Sequence, residues 1–233
     1  MIVLITPTAD RPAAVSLCEK WMARQTVKWD RWIVADSGIE KCWLTCGQEH
    51  LNLAPLNGFS SLCQNLLAAV DAVGRLTEED SVFIIEDDDY YYPTHIEALL
   101  PHLQKGARIA GPQWLHYYNL AQRAWRKMRN EASAPLCGTA LRGDCLGLLA
   151  DAAACCQIKK THNVDGQLWR FVPAVKRWLS QNPQLVGIKG LPGRKGLGIG
   201  HYPKGPSWCP DPLLKQLRAW VGDDIAAYEA FNA

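Results

Sequence analysis

The sequence predicts an α/β protein built on a mostly parallel, doubly wound sheet, followed by a more mixed half. Three observations predict it. Over the first hundred residues short apolar runs alternate with helix-period stretches in the order β, α, β, α, β, α. The apolar runs are short and rich in Ile and Val, as strands buried on both faces are. Each run gives way to polar, turn-forming residues, at the strand ends where an open α/β sheet holds its ligands.

Ile2-Val3-Leu4-Ile5 opens the chain as a buried strand, and Thr6-Pro7-Thr8-Ala9-Asp10-Arg11-Pro12 stops it. Pro12 suits the first turn of a helix reaching about Arg24, with Ala14, Leu17, Cys18, Trp21 and Met22 on one face. Trp32-Ile33-Val34-Ala35 is a second strand, ended by Asp36-Ser37-Gly38. An Asp at such a tip either accepts hydrogen bonds from a nucleotide or shapes a turn. Leu51-Asn52-Leu53 reads as a short strand and Asn57-Gly58 as a turn, and Leu62 to Val73 as a helix with Leu62, Leu66, Ala69, Val70 and Val73 on one stripe.

Val82-Phe83-Ile84-Ile85 is the strand the rest is organised around, because Glu86-Asp87-Asp88-Asp89 follows it at once. Four like charges gathered at a strand end require something positive beside them. Hard oxygen ligands there suit Mg²⁺ or Mn²⁺, ions that bridge protein to substrate phosphates. A solvated acidic turn leading into the helix from Pro93 to Gln104 is the plainer alternative.

In the second half, Arg108 to Pro112 reads as a strand and Gln113 to Met128 as a hairpin turning near Ala121 and Gln122. Arg123-Ala124-Trp125-Arg126-Lys127-Met128-Arg129 is basic with an interleaved Trp, which suits either phosphate contacts or a solvated charged strand. Leu146 to Cys156 and Asp165 to Ser180 read as helices, Leu185 to Lys189 as the last strand, and Pro210 to Trp220 and Asp223 to Phe231 as closing helices. Between them, residues 190–201 carry five glycines, a loop whose amides can approach an anion, with Lys189, Arg194 and Lys195 adding charge.

Composition bounds the rest. The chain of 233 residues is long enough for one sizeable domain, 1–233, with a first half at 1–105 and a second at 106–233. Hydrophobic residues at 48% and charged residues at 21% exclude a disordered chain, and a net charge of +2 neither demands nor excludes a polyanionic partner. No apolar run approaches the ~20 residues that span a bilayer, so no membrane partner is expected. Nine irregularly spaced cysteines without a secretory leader imply free thiols and a cytoplasmic location. Cys42-x₃-Cys46-x₃-His50 has zinc-like spacing but lacks a second pair of ligands.

Together these landmarks resemble the GT-A (Rossmann-like) glycosyltransferases, and among them the small inverting family-2 type, over roughly residues 2–201. Ile5-Thr6-Pro7-Thr8-x-x-Arg11-Pro12 is similar to that superfamily's first nucleotide-binding loop, which implies donor-binding roles for Thr6, Thr8 and Arg11. Asp36 falls where the family places an Asp near the base. Asp87-Asp88-Asp89 looks like its DxD motif, which implies Asp87 near the ribose, Asp88 beside it and Asp89 on the metal. Asn163-Val164-Asp165-Gly166-Gln167-Leu168-Trp169 matches the stretch holding the catalytic base, which implies that role for Asp165, although Val164 stands where many members have an acid. His201 fits a late metal ligand, and Lys189 and Arg194 would neutralise the donor phosphates.

The resemblance implies a metal-dependent (Mn²⁺ or Mg²⁺) inverting transfer of sugar from a nucleoside-diphosphate sugar, a UDP-sugar in the first instance, to a hydroxyl. A cell-surface glycan, a protein side chain and a 5-hydroxymethylated pyrimidine in DNA are the acceptors left open. Small enzymes of this appearance decorate viral DNA, and the host cytoplasm would then be the compartment. Two other classes share the carboxylate site: a nucleotidyltransferase, disfavoured by the absence of Gly between Thr6 and Pro12, and a non-catalytic metal- or saccharide-binding module.

Overall fold

The computed structural model describes residues 1–231 except 43, 56–58, 162, 194, 195, 197, 198 and 202–206, and omits the side chains of 59, 60 and 199. The expected Asn57-Gly58 turn lies outside the described residues.

The alternation expected of the first hundred residues is present. It runs β1 (Ile2–Thr8), α1 (Pro12–Ala23), β2 (Arg31–Asp36), β3 (Glu49–Asn52), α2 (Phe59–Val73), β4 (Ser81–Ile84), β5 (Tyr90–Tyr91) and α3 (His95–Gln104). The second half contains β6 (Ile109–Pro112), β7 (Trp114–Asn119), β8 (Ala124–Arg129), β9 (Ala140–Arg142), α4 (Leu146–Lys159), α5 (Val164–Phe171), β10 (Arg177–Ser180), β11 (Leu185–Lys189), β12 (Cys209–Pro210), α6 (Lys215–Val221) and α7 (Ala226–Glu229).

Seven strands form the central sheet in the order β10-β6-β9-β4-β1-β2-β3. All its pairings are parallel except those of β9, which runs against both β4 and β6. Alternate residues of β1 fall into two cores. Val3 and Ile5 pack with Leu66 of α2, Leu149 of α4 and Leu168 of α5, while Leu4 packs with Trp21 of α1, Leu99 of α3 and Leu217 of α6. Both faces are covered, so each fully buried aliphatic contributes about 1.5–3 kcal/mol. A second sheet, β12-β8-β7-β11-β5, sits on the side of Leu4 and contributes Leu115, Tyr118, Val186 and Ile188 to that core. The hairpin expected near Ala121 and Gln122 is its β7–β8 pair. No helix among the described residues is long and apolar enough to cross a membrane.

Two helical expectations are corrected. The helix expected from Asp165 to Ser180 ends at Phe171, and its second half is β10, at the edge of the central sheet. Pro173 lacks the N–H that a continuing helix needs, and the Arg177 guanidinium then donates to the Val172 carbonyl at 2.7 Å to fix the corner. The helix expected from Pro210 starts only at Lys215. Its first turn is held by the Asp211 carboxylate, which accepts from the amides of Lys215, Gln216 and Leu217 at 2.8, 2.8 and 3.2 Å.

Candidate active site

The site forms where β1, β4 and β11 end. β4 hands over through Ile85 to Glu86–Asp89, which fold back into β5. β5 pairs antiparallel with β11, and that pairing carries Lys189, the last residue of β11, over the acidic turn. Lys189 is 5% exposed. Its ammonium donates to Asp88 Oδ1 at 2.8 Å and Asp89 Oδ1 at 2.6 Å, with Glu86 at 3.8 Å. From the other side Arg11, at the start of α1, donates to Asp87 Oδ1 at 2.8 Å and lies 3.1 Å from Asp88 Oδ2. The Thr8 hydroxyl donates to Asp87 Oδ2 at 2.6 Å, and His201 Nε2 stands 3.4 Å from Asp88 Oδ2.

Asp87, Asp88 and Asp89 are all buried, so the acidic turn is not a solvated one. Burial would raise the Asp88 carboxyl, but Lys189, Arg11 and His201 hold it well below the usual carboxylate range. Asp89 is pushed up instead, first by burial and then by the charges of Asp88 and Glu86, against the pull of Lys189. Burial also raises Glu86, to about 7, with Lys189 opposing and Asp88 and Asp87 reinforcing. Four carboxylates face two fixed cations, Arg11 and Lys189, so two negative charges stay uncompensated when all four ionise, before His201 is counted.

That residual charge matches one divalent cation, and the donor set fits one. Glu86, Asp89 and Cys137 bring their ligand atoms within 4.8 Å of one another. Asp89 Oδ2 is buried with no hydrogen-bond partner among the described residues. Residues that sequence reasoning did not assign therefore stand here: Glu86, Cys137, and Tyr117 of β7. The Tyr117 ring and the Lys189 stem both flank Gly200, where an added Cβ would lie 3.1 and 2.8 Å from them, and burial first, then the charges of Cys137, Asp89 and Glu86, raise the Tyr117 hydroxyl. Nothing in the local sequence marks Cys137 or Tyr117, whereas Glu86 lay within the acidic run itself.

The structure thus brings together Thr8, Arg11, Asp87, Asp88, Asp89, Lys189 and His201. His201 meets Asp88 rather than Asp89, the expected metal ligand. Two further expected donor-binding residues, Thr6 and Asp36, have partners within the fold. The Thr6 hydroxyl accepts from Trp32 Nε1 at 2.9 Å and ties β1 to β2. Asp36 ends β2 as expected, but its buried carboxylate accepts from the amides of Gly38 at 2.7 Å and Cys42 at 2.9 Å, holding the following loop. Cys42, Cys46 and His50 form no metal-ligand group among the described residues, and all nine cysteines are free thiols. Arg194 and Lys195 lie outside the described residues.

Asp165 lies in the first turn of α5. The cap of that helix is Asn163, whose side chain accepts from the Gly166 amide at 3.1 Å, and Asp165 Oδ1 accepts from the same amide at 2.9 Å. Burial raises its carboxyl, against local backbone hydrogen bonds. No hydrogen bond among the described residues links it to the acidic turn. It lies one turn before Trp169 on the same side of α5. Trp169 Nε1 donates to Thr139 Oγ1 at 3.1 Å, two residues from Cys137.

No protein-family model matches the chain, and no curated protein matches it. Solved structures do. S. aureus TarS 1–349 in complex with UDP-GlcNAc is similar with a TM-score of 0.52 at 12% identity, over 88% of this chain and 61% of that one. The same fragment in complex with UDP gives 0.52 at 10% identity, over 80% and 60%. The Francisella tularensis 2-C-methyl-D-erythritol 4-phosphate cytidylyltransferase (IspD) reaches only 0.47 at 12% identity, over 80% and 89%, too slight a likeness to argue from. The chain spans about three fifths of the TarS fragment. At these identities the likeness shows the fold alone, a GT-A-like α/β fold as expected from the sequence.

Proposed function

We propose that this protein is a metal-dependent inverting glycosyltransferase that moves a sugar from a nucleoside-diphosphate sugar to a hydroxyl acceptor. One observation carries the reading: Glu86, Asp87, Asp88 and Asp89, at the carboxyl end of β4, face only Arg11 and Lys189, which leaves two negative charges uncompensated when all four ionise, and the buried Asp89 Oδ2 has no hydrogen-bond partner among the described residues. TarS, whose fold this chain shares, holds UDP and UDP-GlcNAc. That supports a UDP-sugar as the first donor to test.

Each group then has a task. Asp89 and Glu86 would hold Mn²⁺ or Mg²⁺, whose Lewis acidity would offset the charge of the leaving diphosphate. Asp87, braced by Thr8 and Arg11, faces the nucleoside side. Arg11 and Lys189 keep positive charge where the diphosphate charge grows. Asp165, its carboxyl raised by burial, accepts the proton of the acceptor hydroxyl as that oxygen attacks the anomeric carbon. One in-line displacement inverts the centre. Arg194 completes the phosphate contacts in this scheme.

The acceptor reading follows the β7–β8 hairpin. Arg126 stacks over Trp208 at 5.6 Å and Arg129 over Trp114 at 5.9 Å, a basic, aromatic surface suited to a polyanion. A 5-hydroxymethylated pyrimidine in DNA fits it, with the base flipped or its hydroxyl met in the major groove. The nucleotidyltransferase alternative gains nothing from the β1–α1 turn, where Asp10 rather than a glycine takes the positive φ of 53°.

The test is donor consumption from a panel of sugar nucleotides with Mn²⁺, Mg²⁺ or EDTA. Metal-dependent consumption of one donor, lost in Asp89→Ala, is the expected result. A protein that neither consumes nor is stabilised by any donor is a binding module instead.

A further inference from the structure

We propose that Cys137 is a ligand of the cation site with Glu86 and Asp89, and that its sulfur makes the site favour borderline divalent ions such as Co²⁺ over Mg²⁺, with the harder Mn²⁺ between them. The inference rests on the reading of the acidic turn as a cation site, and deepens it.

Cys137 lies on a 3₁₀ turn, Leu136–Gly138, and is 3% exposed. A buried cysteine is most often a small hydrophobe. This one has Asp89, Glu86 and Lys189 in its electrostatic surroundings. Its sulfur and the Glu86 and Asp89 oxygens are close enough for one ion to bridge, all lying within 4.8 Å of one another. Asp89 divides its work: Oδ1 takes Lys189 at 2.6 Å, and the buried Oδ2 is left without a partner among the described residues.

The fold also holds the Glu86 and Cys137 segments in register. The Tyr91 hydroxyl accepts from the Glu86 amide at 2.7 Å and donates to the Cys137 carbonyl at 3.1 Å. Tyr91 is itself fully buried on β5. Gly138 packs closely between the two sheets, against Pro112 of β6 and Leu185 of β11. A Cβ there would stand 2.8 Å from the Pro112 ring and 3.0 Å from Leu185.

Mg²⁺ demands hard oxygen ligands and sheds water reluctantly, whereas Co²⁺ and Zn²⁺ accept a thiolate readily and the harder Mn²⁺ does so less. As the sulfur–metal bond forms, the thiol gives its proton to solvent, and no electron changes hands.

The experiment titrates Co²⁺ into the EDTA-treated full chain, following binding by calorimetry and the thiolate-to-cobalt charge-transfer band in the near ultraviolet. Wild type is expected to bind Co²⁺ and develop the band to saturation at one equivalent. Cys137→Ser and Asp89→Asn, each checked for folding by circular dichroism, are expected to lack the band. Cys137→Ser is also expected to narrow the Co²⁺-over-Mg²⁺ preference by about tenfold or more, with a smaller change for Mn²⁺ over Mg²⁺. Co²⁺ binding without the band, or a band that survives in Cys137→Ser, overturns the role of Cys137 and leaves the carboxylate site standing. If none of the three ions binds wild type, the cation reading itself falls and the Lys189 ammonium is the site's own cation. Should Cys137→Ser fail to fold, the comparison of wild type with Asp89→Asn decides, because that variant keeps every thiol.

Discussion

The Lys189 ammonium lies 2.6 Å from Asp89 Oδ1 and 2.8 Å from Asp88 Oδ1, all three side chains being almost wholly buried. One lysine at the end of β11 therefore binds the second sheet to the acidic end of the first. Removing one partner of a buried ion pair typically costs about 3–5 kcal/mol, because the other charge is left uncompensated. Lys189→Met is expected to lower unfolding stability by that order in urea titrations. Lys189→Met with Asp89→Asn is expected to recover part of it.

Glu86 predicts a pH dependence. Its carboxyl is raised from 4.5 to about 7 in the fold, first by burial. Between those values the folded chain binds a proton that the unfolded chain has released, so stability falls as pH rises from about 4.5 to about 7 and then levels. The contribution is present in full below the unfolded value and lost above the folded one. Melting temperatures measured across this window are expected to decline in wild type and to be flatter in Glu86→Gln. The difference at neutral pH should be on the order of 2 kcal/mol in favour of the variant.

Asp165→Asn separates binding from chemistry. Transfer is expected to fall by roughly 10²–10⁴-fold, the usual worth of a positioned general base. Donor affinity, measured by calorimetry, should stay within about threefold, since Asp165 has no hydrogen bond to the acidic turn. Wild-type turnover in the variant removes Asp165 from the mechanism.

Gly187→Ala tests how Tyr117 is held. The ring of Tyr117 rests against Gly187 of β11 and Gly200, where an added Cβ would approach it to 2.7 and 3.1 Å. The first contact is too short to keep, so the ring must shift where it lies beside the Lys189 stem at Gly200. Overpacking of this kind costs about 1–3 kcal/mol. The expected signature is that loss of stability together with reduced turnover, and Tyr117→Phe should share the second without the first.

The parts of this site that were legible in the sequence are those that local chemistry writes. Thr8, Arg11 and Asp87–Asp89 sit at strand ends announced by apolar runs, and the structure brings them together. What was not legible depends on tertiary pairing. β9 is three residues, Ala140–Arg142, too short for any period, yet it reverses direction inside the sheet. Cys137 enters only because β9 follows it there. Asp36 stands at the strand tip that suggested a ligand, and the loop contacts its carboxylate makes, with the Gly38 and Cys42 amides, were not legible in the sequence. The over-long helix after Asp165 was avoidable, since Pro173 marks its end.

The most direct measurement follows the phosphorus-bearing products when wild type is incubated with its donor, a divalent ion and candidate hydroxyl acceptors, hydroxymethylated duplex DNA among them. The account predicts a nucleoside diphosphate released one-for-one with sugar appearing on the acceptor. Pyrophosphate in its place, or intact donor with every acceptor and ion, would contradict it.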